Sequence, residues 1–214
     1  MKGFFITIDQ GTTSTRAILY DDKINKVDFT QVELTQYYPE EGWVEHDLEE
    51  TWLSVVSCVR NLIKNNSLKP EEVVSIGITN QRETVAIWDK KTLKPLSRAI
   101  VWQDRRTSNY CQKMKEEGIE KVIKEKTGLL LDPYFSASKM KWLKDNLELK
   151  KNSNYLLGTI DTFLISKLTE GKSFFTDITN ASRTSLFNIQ ECKYDEDLLK
   201  LSLIHISEPT RPLH

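Results

Sequence analysis

Cysteine is scarce. The chain has Cys58, Cys111 and Cys192 and no others in 214 residues. They are odd in number, far apart and without C-x-x-C spacing, which argues against a disulfide framework or a zinc site and for a reducing compartment. His46, His205 and His214 form no metal-ligand pattern either. No apolar run is long enough to span a bilayer. The segment behind Lys2 is short, is interrupted by Thr7 and leads into Asp9, unlike a secretory signal. Charge of one sign is not in excess: 30 Lys and Arg face 31 Asp and Glu. That balance removes the electrostatic case for nucleic acid or a membrane surface as a partner. The expectation is a cytoplasmic protein handling small ligands, neutral or locally anionic. Repeats and low-complexity tracts are also absent, and the length suits one large domain or two small ones.

What is present centres on Asp9-Gln10-Gly11-Thr12-Thr13-Ser14-Thr15-Arg16. Phe4 to Ile8 before it and Arg16 to Tyr20 after it are apolar runs of strand length, so the octet is expected in the turn of a β-hairpin. Gly11 lets the backbone approach an anion, and the hydroxyls of Thr12, Thr13, Ser14 and Thr15 can join backbone N–H groups as phosphate donors. Asp9, where the strand leaves the core, can hold Mg²⁺ through water, and Arg16 can add a permanently charged phosphate contact. It is not a Walker loop, because no second Gly followed by Lys-Ser/Thr is there and no helix follows. From the residues alone, a hydroxyl-rich hairpin tip with no ligand is the other reading.

The remaining chain alternates. Lys26 to Thr35 reads as a third strand. Asp47 caps a helix, with Glu50 three residues on approximating a capping box. Leu48, Trp52, Val55, Val56, Val59, Leu62 and Ile63 make its apolar face, which is expected to pack on the sheet. His46 is expected to organise its loop by hydrogen bonding, and Trp43 and Trp52 to pack. Strands follow at Val73 to Thr79, Thr84 to Trp88 and Leu96 to Val101. Asp104 is expected to cap a helix running to Glu117, closed by Gly118. A shorter helix, Ile119 to Lys126, stops at Gly128, and another begins at Ser136. Tyr155 to Ile160 reads as a strand, followed by an Asp161-capped helix to Leu168 and a Gly171 stop. Ser185 to Phe187 is expected as a last strand and Tyr194 to Leu201 as a helix. Lys150 to Asn154 reads as a loop. Strands alternating with helices after an antiparallel start make an α/β fold, a mixed sheet with helices on its faces.

Between Thr79 and Thr84 lie Asn80-Gln81-Arg82-Glu83. Adjacent residues of a regular strand face opposite ways, so Arg82 and Glu83 can serve one ligand only if the backbone is irregular there. A carboxylate that accepts beside a guanidinium that donates suits a polyol, and a solvated hairpin tip is the plain alternative.

Six stretches taken together carry a resemblance. They are Asp9 to Ser14, Gly42 to Asp47, Gly77 to Thr84, Ile100 to Gln103, Asp132 to Ser136 and Thr179 to Thr184. In this order they resemble the glycerol kinases, a family of the carbohydrate kinases with an actin-like ATPase fold. The resemblance implies a ribonuclease H-like domain and transfer of the ATP γ-phosphate to a terminal hydroxyl of glycerol, with Mg²⁺. It implies that Thr12, Thr13, Ser14 and Arg16 meet the nucleotide phosphates and that Asp9 is the metal-associated carboxylate. It also implies that Arg82, Glu83 and Tyr134 hydrogen-bond glycerol while Trp102 walls its carbon chain. Relatives are about twice as long, form dimers and tetramers, and carry the catalytic Asp and most of the adenosine pocket in a second domain. The expectation is therefore an N-terminal domain over 1–201, inactive alone, with no catalytic residue of its own. Residues 202–214, with Pro209 and Pro212, do not continue the pattern and are expected to be an artefactual or disordered tail. Two other functions remain open: a kinase for another polyol or ketose, opposed by Arg82-Glu83, Trp102 and Tyr134 occurring jointly, and a non-catalytic binding protein of actin-like fold.

Overall fold

In the computed structural model, which describes residues 3–147 and 154–201, the chain divides into two units. The tail 202–214, its two histidines and all but the last residue of the loop expected at 150–154 lie outside the described residues. One unit comprises the residues up to Gln36 together with His46–Gln81; the other comprises Tyr37–Glu45 and the chain from Arg82 onward.

The first unit grows from a hairpin whose inward and outward residues alternate along 6–10 and Ser14–Tyr20. β1 (Phe4–Gln10) and β2 (Ser14–Tyr20) pair antiparallel, β3 (Lys26–Glu33) pairs antiparallel with β2, and β4 (Glu45–His46) is a two-residue strand at the passage between units. After helix α1 (Leu48–Asn65), strand β5 (Val73–Asn80) returns parallel to β1, giving a mixed sheet of order β3-β2-β1-β5. Ile6, Ile8, Ala17 and Leu19 all point to the α1 side and are buried.

The buried line of α1 is not the one its largest apolar residues mark. Leu48, Val55 and Leu62 are buried as expected, but Thr51, Ser54 and Cys58 are buried with them, and Trp52, Val56, Val59 and Ile63 are half-buried. The reason is close approach through small polar residues. Thr15 Oγ1 meets Ser54 Oγ at 2.6 Å, Cys58 Sγ donates to Thr15 O, and Thr30 Oγ1 donates to Cys58 O at 2.8 Å. Larger side chains on that line would hold the helix off the sheet. Asp47 caps α1 as expected, its Oδ1 accepting from Glu49 N and Glu50 N at 2.8 and 3.0 Å. Glu50 does not complete a capping box; its carboxylate accepts from Thr35 N at 2.8 Å and ties down the loop instead.

In the second unit β6 (Val85–Asp89) lies between β7 (Ala99–Ile100) and β8 (Tyr155–Thr159), antiparallel to both, with β4 outside β7. These strands thus form a second sheet and do not extend the first. Val85 to Trp88 are fully buried, since β6 is covered on both faces. The helices are α2 (Ser108–Glu116), α3 (Glu120–Thr127), α4 (Ser136–Asn146) and α5 (Ile160–Leu168). The short α6 (Ile178–Ala181), the hairpin of β9 (Phe187–Asn188) with β10 (Lys193–Tyr194), and α7 (Glu196–Leu201) follow. α4 packs Met140 and Leu143 into a core with Val85, Ile87, Ile100 and Leu186.

Several expectations change here. The strand expected over Leu96 to Val101 is regular only at Ala99–Ile100; Pro95 makes an isolated bridge to Trp88, and a residue without N–H cannot extend the ladder. Asp104 caps no helix, and α2 starts only after Thr107. Its buried carboxylate accepts from Val44 N at 2.7 Å and from Arg106, whose guanidinium is pressed on Trp43 (3.6 Å) and Trp142 (4.6 Å) and also reaches Glu45. Trp43 therefore packs, as expected, and this cluster fixes Gly42 to Glu45. Asp161 lies inside α5, buried, accepting from the hydroxyls of Thr159 and Thr176; burial raises its pKa. Ser185 is left-handed (φ 62°), so no strand starts there, and Tyr194 belongs to β10, not to the last helix. Gly118 and Gly128 stop their helices in the left-handed conformation (φ 78° and 72°), as expected.

Replacing Asp47 by Ala removes both cap bonds of α1 and is expected to lower stability by about 1 kcal/mol. Urea unfolding of Asp47→Ala beside the parent checks this; an unchanged midpoint at equal slope contradicts the cap's contribution.

Candidate functional site

The hairpin turn is tighter than its sequence suggests. Asp9 and Gln10 still belong to β1, and Ser14 to Arg16 to β2, leaving Gly11-Thr12-Thr13 as the turn. Gly11 N donates to Ser14 O at 2.9 Å, and a Cβ on Gly11 would sit 3.1 Å from that oxygen, so glycine is what lets the turn close. Alternation along β2 sorts the hydroxyls. Thr15 points inward to Ser54, so it is not the phosphate donor expected from the sequence, whereas Ser14 and Arg16 share the other face. There Gln31 Oε1 accepts from Arg16 Nε and Nη2 at 3.0 and 2.8 Å, and Gln31 Nε2 donates to Ser14 Oγ at 3.2 Å. Asp9 is exposed and stands opposite Arg16 in the ladder. Thr13 is exposed.

Beneath the turn lies a buried network whose parts are dispersed in the sequence. Gln36 Nε2 donates to Thr12 O at 2.9 Å, Gln10 Nε2 to Gly11 O at 2.8 Å, and Gln81 Nε2 to Gly11 O at 3.2 Å. His46 joins them: Gln81 Nε2 reaches its Nδ1 at 3.1 Å, and its Nε2 reaches Gln36 Oε1 at 2.8 Å. An amide nitrogen only donates and an amide oxygen only accepts, so His46 must be the neutral tautomer with its proton on Nε2. Burial drives the imidazole pKa down from 6.5 to about 4, against a weaker upward pull from Glu50. His46 thus organises its loop as expected, and also the turn. Because a trans peptide sets N–H opposite C=O, drawing the carbonyls of Gly11 and Thr12 inward turns the N–H groups of Thr12 and Thr13 the other way. That is the geometry an anion needs.

In the second unit, Glu83 has the irregular backbone expected at this point of the chain. It is left-handed (φ 64°), between the last residue of β5 and the first of β6, and its side chain is buried while that of Arg82 is exposed. Its carboxylate is not alone. Arg183 Nε donates to Glu83 Oε1 at 2.6 Å, and the same guanidinium lies 4.9 Å from the Phe135 ring and 5.8 Å from that of Tyr134. Tyr134 in turn packs on Trp102 at 5.3 Å and on Phe135 at 5.2 Å. Tyr134 N is held by Asp132 Oδ1, and Ser136 Oγ donates to Glu83 O. Glu83, Trp102 and Tyr134 are thereby brought together, one charged group beside an aromatic wall.

The two residue sets fall in different units: Asp9, Thr12, Thr13, Ser14 and Arg16 in the first, and Arg82, Glu83, Trp102 and Tyr134 in the second, where exposed Arg82 stands apart from the other three. Arg183, Gln10, Gln36 and Gln81 were not singled out by sequence. Arg183 and Gln81 lie inside recognised motifs, which was the available signal; Gln36 carries none. Among the described residues no cluster of three or more His, Cys, Asp or Glu is placed to hold a metal ion. An exposed lone carboxylate such as Asp9 fits a Mg²⁺ that keeps its water shell.

The profile of the FGGY family of carbohydrate kinases, N-terminal domain, matches residues 4–208. The glycerol kinases of Rhizobium rhizogenes and Petrotoga mobilis are each 51% identical over 94% of this chain, which spans 41% of their length. A glycerol kinase of Plasmodium falciparum crystallised with ADP superposes with a TM-score of 0.88 at 36% identity, over 96% of this chain and 42% of its own. A ligand-bound xylulose kinase from Lactobacillus acidophilus shares the fold at 23% identity, with a TM-score of 0.86 over 98% of this chain and 41% of its own. The fold is the actin-like ATPase fold of carbohydrate kinases.

Protonating His46 gives both ring nitrogens a proton and sets one against the Gln81 amide. Its folded pKa lies below the unfolded one, so the stability it contributes is complete above pH 6.5 and is lost as pH falls towards 4. The expected loss is about 3 kcal/mol across that window. Urea unfolding at stepped pH, in the parent and in His46→Gln, measures it; equal slopes between pH 6.5 and 4 in both proteins contradict the assignment.

Proposed function

The chain belongs to the FGGY family of carbohydrate kinases, whose N-terminal domain it carries, and on that premise we propose that it serves an enzyme transferring the γ-phosphoryl group of ATP to a terminal hydroxyl of glycerol. The observation that carries the reading is the buried, left-handed Glu83 held by Arg183 beside the Trp102–Tyr134 wall. A triol offers hydroxyl donors to Glu83, hydroxyl acceptors to Arg82, and a short carbon chain to the Trp102 ring. Identity of 51% to glycerol kinases, against 23% to a xylulose kinase, favours the three-carbon acceptor.

Phosphoryl transfer leaves the protein little covalent chemistry to perform, so positioning and charge stabilisation carry the rate. Arg82, Glu83 and Tyr134 orient the acceptor hydroxyl. The N–H groups of Thr12 and Thr13, the hydroxyls of Thr12, Thr13 and Ser14, and the Arg16 guanidinium receive nucleotide phosphate oxygens. Asp9 would hold Mg²⁺ through water, and that ion would supply positive charge to neutralise the phosphates. The base that takes the acceptor proton is assigned to the part of the enzyme that this chain, at 41% of its relatives' length, does not span. The cytoplasm is the proposed compartment.

Losing a charged hydrogen bond costs about 1.5 to 3 kcal/mol, so Glu83→Ala in the full-length enzyme is expected to lower kcat/KM for glycerol by roughly ten- to a hundred-fold or more. Steady-state kinetics with glycerol, xylulose and erythritol test both role and substrate. Unchanged glycerol kinetics reject the role, and preference for either other acceptor rejects the substrate.

A further inference from the structure

Lys139 is the one fully buried lysine among the described residues. From the second turn of α4 its side chain runs back along its own helix, and its ammonium donates to three successive carbonyls: Pro133 O at 2.7 Å, Tyr134 O at 2.6 Å and Phe135 O at 2.8 Å. All three protons are thus used on backbone oxygens, and among the described residues no carboxylate makes an ion pair with it. This is a costly arrangement. A buried cation loses its hydration, and a positive charge near a helix N-terminus opposes the helix dipole. Burial accordingly pulls its pKa down from 10.5 to about 7, while Asp104, Glu83, Cys111 and Asp132 around it pull the other way. A helix start can be capped by one neutral side chain at less cost. What the ammonium does that a cap does not is fix three consecutive peptide planes from one point, and Tyr134 is the middle residue of the three.

We propose that Lys139 is a positioning residue for the acceptor, its ammonium tripod holding the Pro133–Phe135 backbone so that the Tyr134 ring stays against Trp102 with its hydroxyl presented to the polyol. The role of Tyr134 rests on the function proposed above; the mechanical link from Lys139 to Tyr134 does not. Asp132 Oδ1, bound to Tyr134 N, fixes the same loop from the other side of the backbone. Two anchors on one residue's peptide groups leave its ring few alternatives.

In the full-length kinase, Lys139→Met keeps the volume and removes the donors. The expected result is a rise in KM for glycerol of about tenfold with KM for ATP within about twofold of the parent. Tyr134→Phe is expected to raise KM for glycerol as well, and the double variant to be no worse than the worse single one, because both changes act through one hydroxyl. An equal rise in both KM values, or additive effects in the double variant, overturns the proposal. Since Lys139→Met has a fold to lose, a measurement on the unaltered 214-residue chain is paired with it. With ¹³C labels on lysine Cε and tyrosine Cζ, raising the pH through the Lys139 titration is expected to move the Tyr134 signal with the same midpoint. A Tyr134 signal that ignores that titration overturns the link. Should the parent enzyme fail to phosphorylate glycerol while the two signals move together, the functional reading fails and the positioning link stands.

Discussion

A carbonyl oxygen withdrawn from water must find a donor, and where no backbone N–H reaches it a side chain can supply one. Both candidate regions of this protein are shaped by that constraint. At the hairpin, the carbonyls of Gly11 and Thr12 are met from below by Gln10, Gln36 and Gln81. At the start of α4, those of Pro133, Tyr134 and Phe135 are met by Lys139. In each case satisfaction from the protein side determines what faces the ligand: peptide N–H groups in one, an aromatic side chain in the other. The turn and the loop carry no regular structure of their own, so their precision comes from these donors.

The donors themselves are polar groups in a poorly hydrated interior, and their protonation follows from it. His46 is neutral because it sits between an amide that donates and an amide that accepts, and because burial opposes its charged form. Buried Glu83 is paired with Arg183, which also packs on Phe135 and Tyr134. An unpartnered carboxylate there would leave its desolvation uncompensated. The pair therefore keeps charge, geometry and aromatic contact at one place. Arg106, packed on both Trp43 and Trp142 and donating to both oxygens of Asp104, repeats the same construction as a structural clamp.

Much of this was legible in the residues. The apolar runs gave β1, β5 and β6, Asp47 marked the start of α1, Gly118 and Gly128 marked helix ends, and the need for an irregular backbone at Arg82-Glu83 followed from strand periodicity alone. The misreadings have a common cause. Asp104 and Asp161 look like helix caps because a short acidic residue before a helical pattern usually is one, yet both are buried and spent on other partners, Val44 and Arg106 for one, Thr159 and Thr176 for the other. Thr15 looked like part of the phosphate turn because the turn was drawn too long. Thr51, Ser54 and Cys58 were passed over on α1 because a hydrophobicity pattern scores size and not closeness of approach.

Residue chemistry and period, then, are properties of the chain read locally, and they were enough to determine the α/β class and a hairpin turn within Asp9 to Arg16. Pairings across long sequence separations were decided only in three dimensions: Gln81 with Gly11 over 70 positions, Arg183 with Glu83 over 100. No local propensity encodes such a contact, because it exists only after the backbone has paid its ordering entropy and brought both ends together.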